Sequence, residues 1–284
     1  MPELPEVETI RRGLEKTIVG KTIQDVEVRL NKMLAGDKVQ VIGARVEAIR
    51  RFGKGLVIDL SNGFSITAHV KMTGQFIYLG KTQNNFHPKL TLPLELPSKH
   101  THVIFRLKAD GGEESTLFYN DIRQFGWLKV VKTLDVHDQP FFKSLGPEPF
   151  SDLTLPIFVK IVSSSSMPIK PLLMDQTKIS GVGNIYANDA LYASAIDPRR
   201  KSNSLTQEEG ERLFVAVLEV LERGIAHGGA SEINYVNVEG GKGSYQDHFL
   251  VYGKNGETCI RCSYIIERIK QGGRSTFYCP GCQK

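Results

Sequence analysis

Between Pro5 and about Val19 the apolar residues Val7, Ile10, Leu14 and Ile18 return every three or four positions, which predicts a helix with a single apolar stripe. Beyond it the period shortens. Val26 and Val28 alternate with charged residues, and residues 56–60 run through Ser61-Asn62-Gly63 into residues 64–68, an Asn-Gly turn between two apolar runs that predicts a hairpin. Residues 103–107 and 116–119 flank Asp110-Gly111-Gly112 and predict a second one. Several short antiparallel strands of this kind predict a β-sandwich domain over residues 1–133. Residues 134–155, with Gly146-Pro147-Glu148-Pro149 inside, read as a linker.

The pattern then turns helical over residues 156–244. Thr206 and Glu209 make a capping box ahead of Leu213, Phe214, Val217, Leu218 and Leu221. A shorter helix starts near Asn184, carries Ile185 and Leu191, and is stopped by Asp197-Pro198. The glycine-rich run from Gly228 to Gly243 reads as a loop, and residues 245–284 as a C-terminal metal hairpin. The expected fold class is therefore α+β and multidomain.

A length of 284 residues allows two domains with cores of their own, and 40% hydrophobic with 24% charged residues describes an ordinary soluble chain. No apolar run reaches the roughly 18 residues of a membrane span. The acidic first turn, with Glu3 and Glu6, is unlike a signal peptide. A cytoplasmic protein with no membrane partner is expected. The net charge of +5 is compatible with a polyanionic partner and does not require one.

Chemistry gathers at both ends. Removal of Met1 before the small Pro2 would leave a free secondary amine, a nucleophile that titrates near about 8 in model peptides. The positive end of the helix lowers that value, and Glu3 lies beside it as a possible proton donor. A plainer reading makes Pro2, Pro5 and the glutamates ordinary helix-start residues. At the other end, Cys259-x2-Cys262 and Cys279-x2-Cys282 have the spacing of two knuckles closing one tetrahedral zinc with no open position. One structural zinc ion is expected. Gly181-Val182-Gly183-Asn184 stands at a helix start, where backbone amides can hold a phosphate.

The string PELPEVETIRRGLE resembles the N-terminus of the formamidopyrimidine-DNA glycosylase family, and IKPLLMDQ with GVGN and the ending GRSTFYCPGCQK are similar to that family's helix-two-turn-helix and zinc finger. The likeness runs from Pro2 to the last residue. It implies a monomeric base-excision enzyme that clamps double-stranded damaged DNA and removes oxidised purines such as 8-oxoguanine and formamidopyrimidines. In that likeness Pro2 is the nucleophile and Glu3 the acid, Glu6 is a supporting carboxylate, and Lys54 and Arg274 assist strand cleavage by β,δ-elimination. HVKMTG and DIRQFG resemble the loops that fill the gap left by an extruded base, giving Met72, Arg123 and Phe125. His100, Lys170 and Asn184 are implied on the DNA backbone. The chain departs from the family pattern at residues 163–166, four serines where lysines are common, and at Ile122 and Gln124. A relative specific for oxidised pyrimidines and a non-catalytic zinc-finger DNA-binding protein are the alternatives.

Overall fold

The apolar stripe forms helix α1 (Leu4–Ile18) in the computed structural model, which describes residues 1–80, 96–232 and 234–284. Leu4, Val7, Ile10, Leu14 and Ile18 are each at most 1% exposed. Burial of each contributes roughly 1.5–3 kcal/mol, which fixes the chain start against the core. Gly20, with φ of 85°, follows the helix in the left-handed conformation that a side chain would strain.

The described residues fall into two compact units, Met1–Lys143 with His227–Gln246, and Ser144–Ala226 with Asp247–Lys284. The first unit carries strands β1 (Thr22–Val28), β2 (Leu34–Ala35), β3 (Val46–Phe52), β4 (Gly55–Leu60), β5 (Phe64–His69), β6 (Gly74–Gly80), β7 (Thr101–Lys108), β8 (Glu114–Asp121) and β9 (Trp127–Lys132). They form one sheet in the order β1-β7-β8-β6 and another in the order β2-β9-β5-β4-β3. Both predicted hairpins are present, with Ile58 opposite Ile66 and Phe105 opposite Leu117. Val26 and Phe105 from one sheet, Ile58 and Ile66 from the other, and Val7 and Leu14 from α1 share one core. That shared core makes the pair of sheets a sandwich.

Tyr235 and Val238 belong to the same core. Residues 227–246, expected with the helical domain, therefore pack with the first unit. The Tyr78 amide donates to the Val238 carbonyl at 2.8 Å, and a Cβ on Gly13 would stand 2.9 Å from Val238 Cγ2. The run 228–243 carries no helix or strand among its described residues; position 233 lies outside them. The expected linker is partly structured, because α2 (Pro140–Lys143) buries Phe142 against the Phe52 ring, 5.9 Å between centroids.

The second unit begins with two helices that the periodicity did not announce, α3 (Leu155–Ser163) and the six-residue α4 (Ile169–Met174). Then come the expected α5 (Asn184–Ala193) and α6 (Gln207–Ala226). The capping box is complete: the Glu209 amide donates to Thr206 Oγ1 at 3.2 Å and the Thr206 amide to Glu209 Oε2 at 2.8 Å. The zinc segment joins this unit as the hairpin β10 (Glu267–Gln271) and β11 (Arg274–Tyr278). No helix among the described residues is long and apolar enough to cross a membrane.

Candidate active site and nucleic-acid interface

Pro2 is buried at the start of α1, while Met1 in front of it is 51% exposed. The nitrogen of Pro2 becomes an amine only when Met1 is removed, and the exposed methionine is open to that processing. Glu3 is the N-cap and is 3% exposed; Glu6, one turn on, is 2% exposed. Glu6 Oε2 accepts the Glu3 amide at 2.7 Å, and its Oε1 accepts the Ala230 amide at 2.7 Å. This one carboxylate thus ties the helix start to the root of the 227–246 segment. Gly229 is required there, since its φ is 81° and a Cβ would fall 2.7 Å from Glu6 Cγ.

Lys54 sits in the two-residue turn between β3 and β4 and is only 4% exposed. Gly53 supplies the positive φ, 56°, at the first turn position. The turn is secured to α1 through Arg51, whose Nη1 donates to the Gly53 carbonyl at 2.9 Å and whose Nε donates to Glu8 Oε2 at 3.0 Å. Glu8 also accepts from Arg11 and Arg12. Burial opposes its charge, but the bonds from Arg11, Arg12 and Arg51 outweigh it and hold the Glu8 carboxyl below the usual range. Nearby, His69 is 4% exposed; its burial, then the charges of Lys71 and Lys54, push its imidazole down to about 3. His69 is therefore neutral, and its Nδ1 accepts the Lys71 amide at 2.9 Å.

Met72 and Phe125 are 42% and 58% exposed, so neither is the core residue that its hydrophobicity would suggest. Arg123 joins them: its Nη1 lies 2.9 Å from Met72 Sδ and its guanidinium 4.9 Å from the Phe125 ring centroid. An apolar wedge, an aromatic ring and a planar cation thus form one exposed cluster. Asp121 and Thr73 are buried beside it, and no sequence pattern singles out either residue. The two histidines of SKHTHV separate clearly. His102 is buried with Nε2 donating to the Asp121 carbonyl at 2.8 Å, whereas His100 is half-buried in the turn before β7.

In the second unit, Lys170 on α4 is 1% exposed. Its ammonium donates to Asn184 Oδ1 at 2.7 Å, the Ser275 carbonyl at 2.8 Å and Thr276 Oγ1 at 2.7 Å. It binds the first residue of α5 to β11 from inside the unit. Gly181, with φ of 89°, leads into α5, and its amide donates to Gln176 Oε1 at 3.0 Å. Arg274 is exposed where β11 starts, beyond the Gly272-Gly273 turn, both of whose residues have positive φ. The serines at 163–166 begin with the last residue of α3, and Ser164 is its C-cap.

The Sγ atoms of Cys259, Cys262, Cys279 and Cys282 all lie within 4.8 Å of one another. Cys259 and Cys282 are 3.6 Å apart and Cys262 and Cys279 3.3 Å. Tetrahedral zinc with Zn–S of about 2.3 Å needs sulfurs about 3.8 Å apart, so the four thiolates fit one ion and close its coordination. Such a site is structural.

The family profile described as "Formamidopyrimidine-DNA glycosylase N-terminal domain" matches residues 1–128, "Formamidopyrimidine-DNA glycosylase H2TH domain" matches residues 145–235, and "Zinc finger found in FPG and IleRS" matches residues 256–284. The formamidopyrimidine-DNA glycosylase of Carboxydothermus hydrogenoformans is 41% identical over 290 residues, with 100% of both chains covered. That of Desulfitobacterium hafniense is 39% identical over 289 residues, again with 100% of both covered. Among solved structures, a complex between Lactococcus lactis Fpg and DNA containing an abasic site superposes with a TM-score of 0.86 at 33% identity, covering 99% of each chain. A complex of wild-type Lactococcus lactis Fpg with DNA containing an oxidized pyrimidine gives 0.84 at 33% identity, covering 100% of each.

Proposed function

The chain belongs to the formamidopyrimidine-DNA glycosylase family, and on that premise we propose that it excises oxidised purines, 8-oxoguanine and formamidopyrimidines, through its Pro2 amine. It is a DNA glycosylase and abasic-site lyase of base excision repair that acts on damaged double-stranded DNA and carries one structural zinc. The reading of a non-catalytic zinc-finger protein gives way to that membership.

The observation that carries the reaction scheme is the buried start of α1, where Pro2 precedes an N-cap glutamate in a site that Glu6 locks. The Pro2 amine attacks the sugar C1′, the C1′–N bond to the base breaks and the departing base takes up the proton that the amine loses; the C1′–O4′ bond then opens to leave an iminium. Glu3 gives its proton to the ring oxygen as the sugar opens. The iminium makes the C2′ hydrogen acidic, so the 3′ phosphate leaves by β-elimination and the 5′ phosphate by δ-elimination. Lys54 and Arg274 serve those steps as cations beside the departing phosphates, and Glu6 keeps the terminus in place. Lys170 acts from within, holding Asn184 so that the 181–184 turn and the α5 amides meet a phosphate. His100 reaches the backbone of the same duplex. The setting is the cell interior where the chromosome lies.

Single-turnover cleavage of duplexes carrying 8-oxoguanine opposite cytosine, an oxidised pyrimidine, or no damage tests the reading. The 8-oxoguanine duplex is cut fastest, and Glu3→Gln slows base release by about a hundredfold or more, the ordinary worth of a general acid. A faster reaction on the pyrimidine duplex, which the Lactococcus complex makes a real competitor, would transfer the chain to the pyrimidine branch.

A further inference from the structure

We propose that Asp121 is a positioning residue that fastens the Met72 turn and the Arg123–Phe125 loop into one unit, so that wedge, ring and cation enter the duplex together. The inference rests on the reading of Met72, Arg123 and Phe125 as the side chains that replace an extruded base. Asp121 ends β8 and stands opposite Gly74, the first residue of β6, with one loop leaving from each. Its side chain is fully buried, with Oδ1 shared by both loops and Oδ2 held by the second loop alone. Oδ1 accepts the Thr73 hydroxyl, next to Met72, and also the Arg123 amide at 3.1 Å. Oδ2 accepts the Gly126 amide, next to Phe125, at 2.7 Å. The Thr73 hydroxyl in turn accepts the Arg123 amide at 3.0 Å, so the loops share a proton donor as well as an acceptor.

Packing reinforces this bridge. A Cβ on Gly74 would fall 2.5 Å from the Val70 carbonyl oxygen and 2.8 Å from the Tyr119 hydroxyl. One on Gly126 would meet the same hydroxyl and lie 3.0 Å from both Asp121 Oδ2 and the His69 carbonyl oxygen. Tyr119 thus fills the space that both glycines leave open. Each loop also holds a non-glycine residue in the left-handed region, Lys71 at φ 50° and Gln124 at φ 56°. Such backbone persists only where its surroundings over-determine it. A loop that moved alone would break bonds to a carboxylate that has no solvent to turn to, so the two loops hold or yield as one.

The prediction is energetic coupling. Affinity is measured for a duplex with a reduced, uncleavable abasic site, using Met72→Ala, Phe125→Ala and the double variant. In the parent protein the two losses are non-additive by about fivefold or more. In an Asp121→Asn background, where the amide group cannot accept on both sides, that factor falls to about twofold or less, although Met72, Arg123 and Phe125 are all still present. Thr73→Val, which removes only the shared hydroxyl, lowers it in the same direction and carries the test if Asp121→Asn does not fold. Coupling that survives both backgrounds would overturn the proposal and leave direct Arg123 contacts as its source. Single variants that bind like the parent would overturn the insertion reading, and the coupling with it.

Discussion

His69 shows how burial and neighbouring charge fix a protonation state in the site. In the unfolded chain its imidazole titrates near 6.5, and in the folded protein burial, with Lys71 and Lys54 beside it, brings it down to about 3. The unfolded state therefore binds the extra proton. The stability this residue leaves intact above about pH 6.5 is lost as pH falls from there toward 3, by about 1.4 kcal/mol per unit. Denaturant unfolding between about pH 6.5 and 4.5 should thus show a shallower decline in His69→Asn than in the parent; parallel declines would contradict the assignment. Residues differed in how far the sequence exposed them. Pro2 and Glu3 stand out in the sequence because a secondary amine beside a carboxylate is itself a chemical pairing. Asp121, Thr73 and Arg51 do not, because their partners are backbone groups or side chains that only strand pairing brings near. Lys170 enters through the family likeness as a DNA-backbone residue, and the folded chain shows its ammonium donating to Asn184 and β11.

At the scale of elements, period was a good guide where an element was long. The stripe from Val7 to Ile18 and the capping box at Thr206 gave α1 and α6, whereas α4, six residues with a proline inside, has too little length to show a stripe. The zinc hairpin was read from cysteine spacing alone, and its energetics make a clear demand. The core around it is small, with Tyr192, Val251, Ile266 and Phe277 gathered about Cys259 and Cys279. A two-stranded ribbon is marginal in water by itself, so β10 and β11 need the metal to hold their shape. The rest of the unit is attached to that shape, since Asn188 Oδ1 accepts the Phe277 amide at 2.7 Å and Asp189 accepts amides of residues 250–252. Chelation with measured zinc loss, or Cys279→Ser, should therefore lower affinity for abasic-site DNA by about tenfold or more and collapse the amide dispersion of residues 254–284. Unchanged affinity in zinc-free protein would remove the hairpin from the DNA interface.

Over the whole molecule, composition said little and joint pattern said much. A net charge of +5 on 284 residues does not single out a nucleic-acid enzyme. The terminal proline had an ordinary explanation, and only together with the turn before α5 and the four cysteines did it point to one family. What stayed hidden was connectivity: residues 227–246 leave α6 and rejoin the first unit, where Ala230 meets Glu6, and a linear reading of helices then hairpin gives no sign of the return. The proposed reaction stands on the amine of residue 2 as the nucleophile. Borohydride trapping on an 8-oxoguanine duplex, with zinc-loaded protein of verified mass lacking Met1 and peptide mapping of the adduct, tests it most directly. A single covalent adduct on Pro2 is expected, absent when Met1 is retained. An adduct on Lys54 or another amine, or none at all, would contradict it.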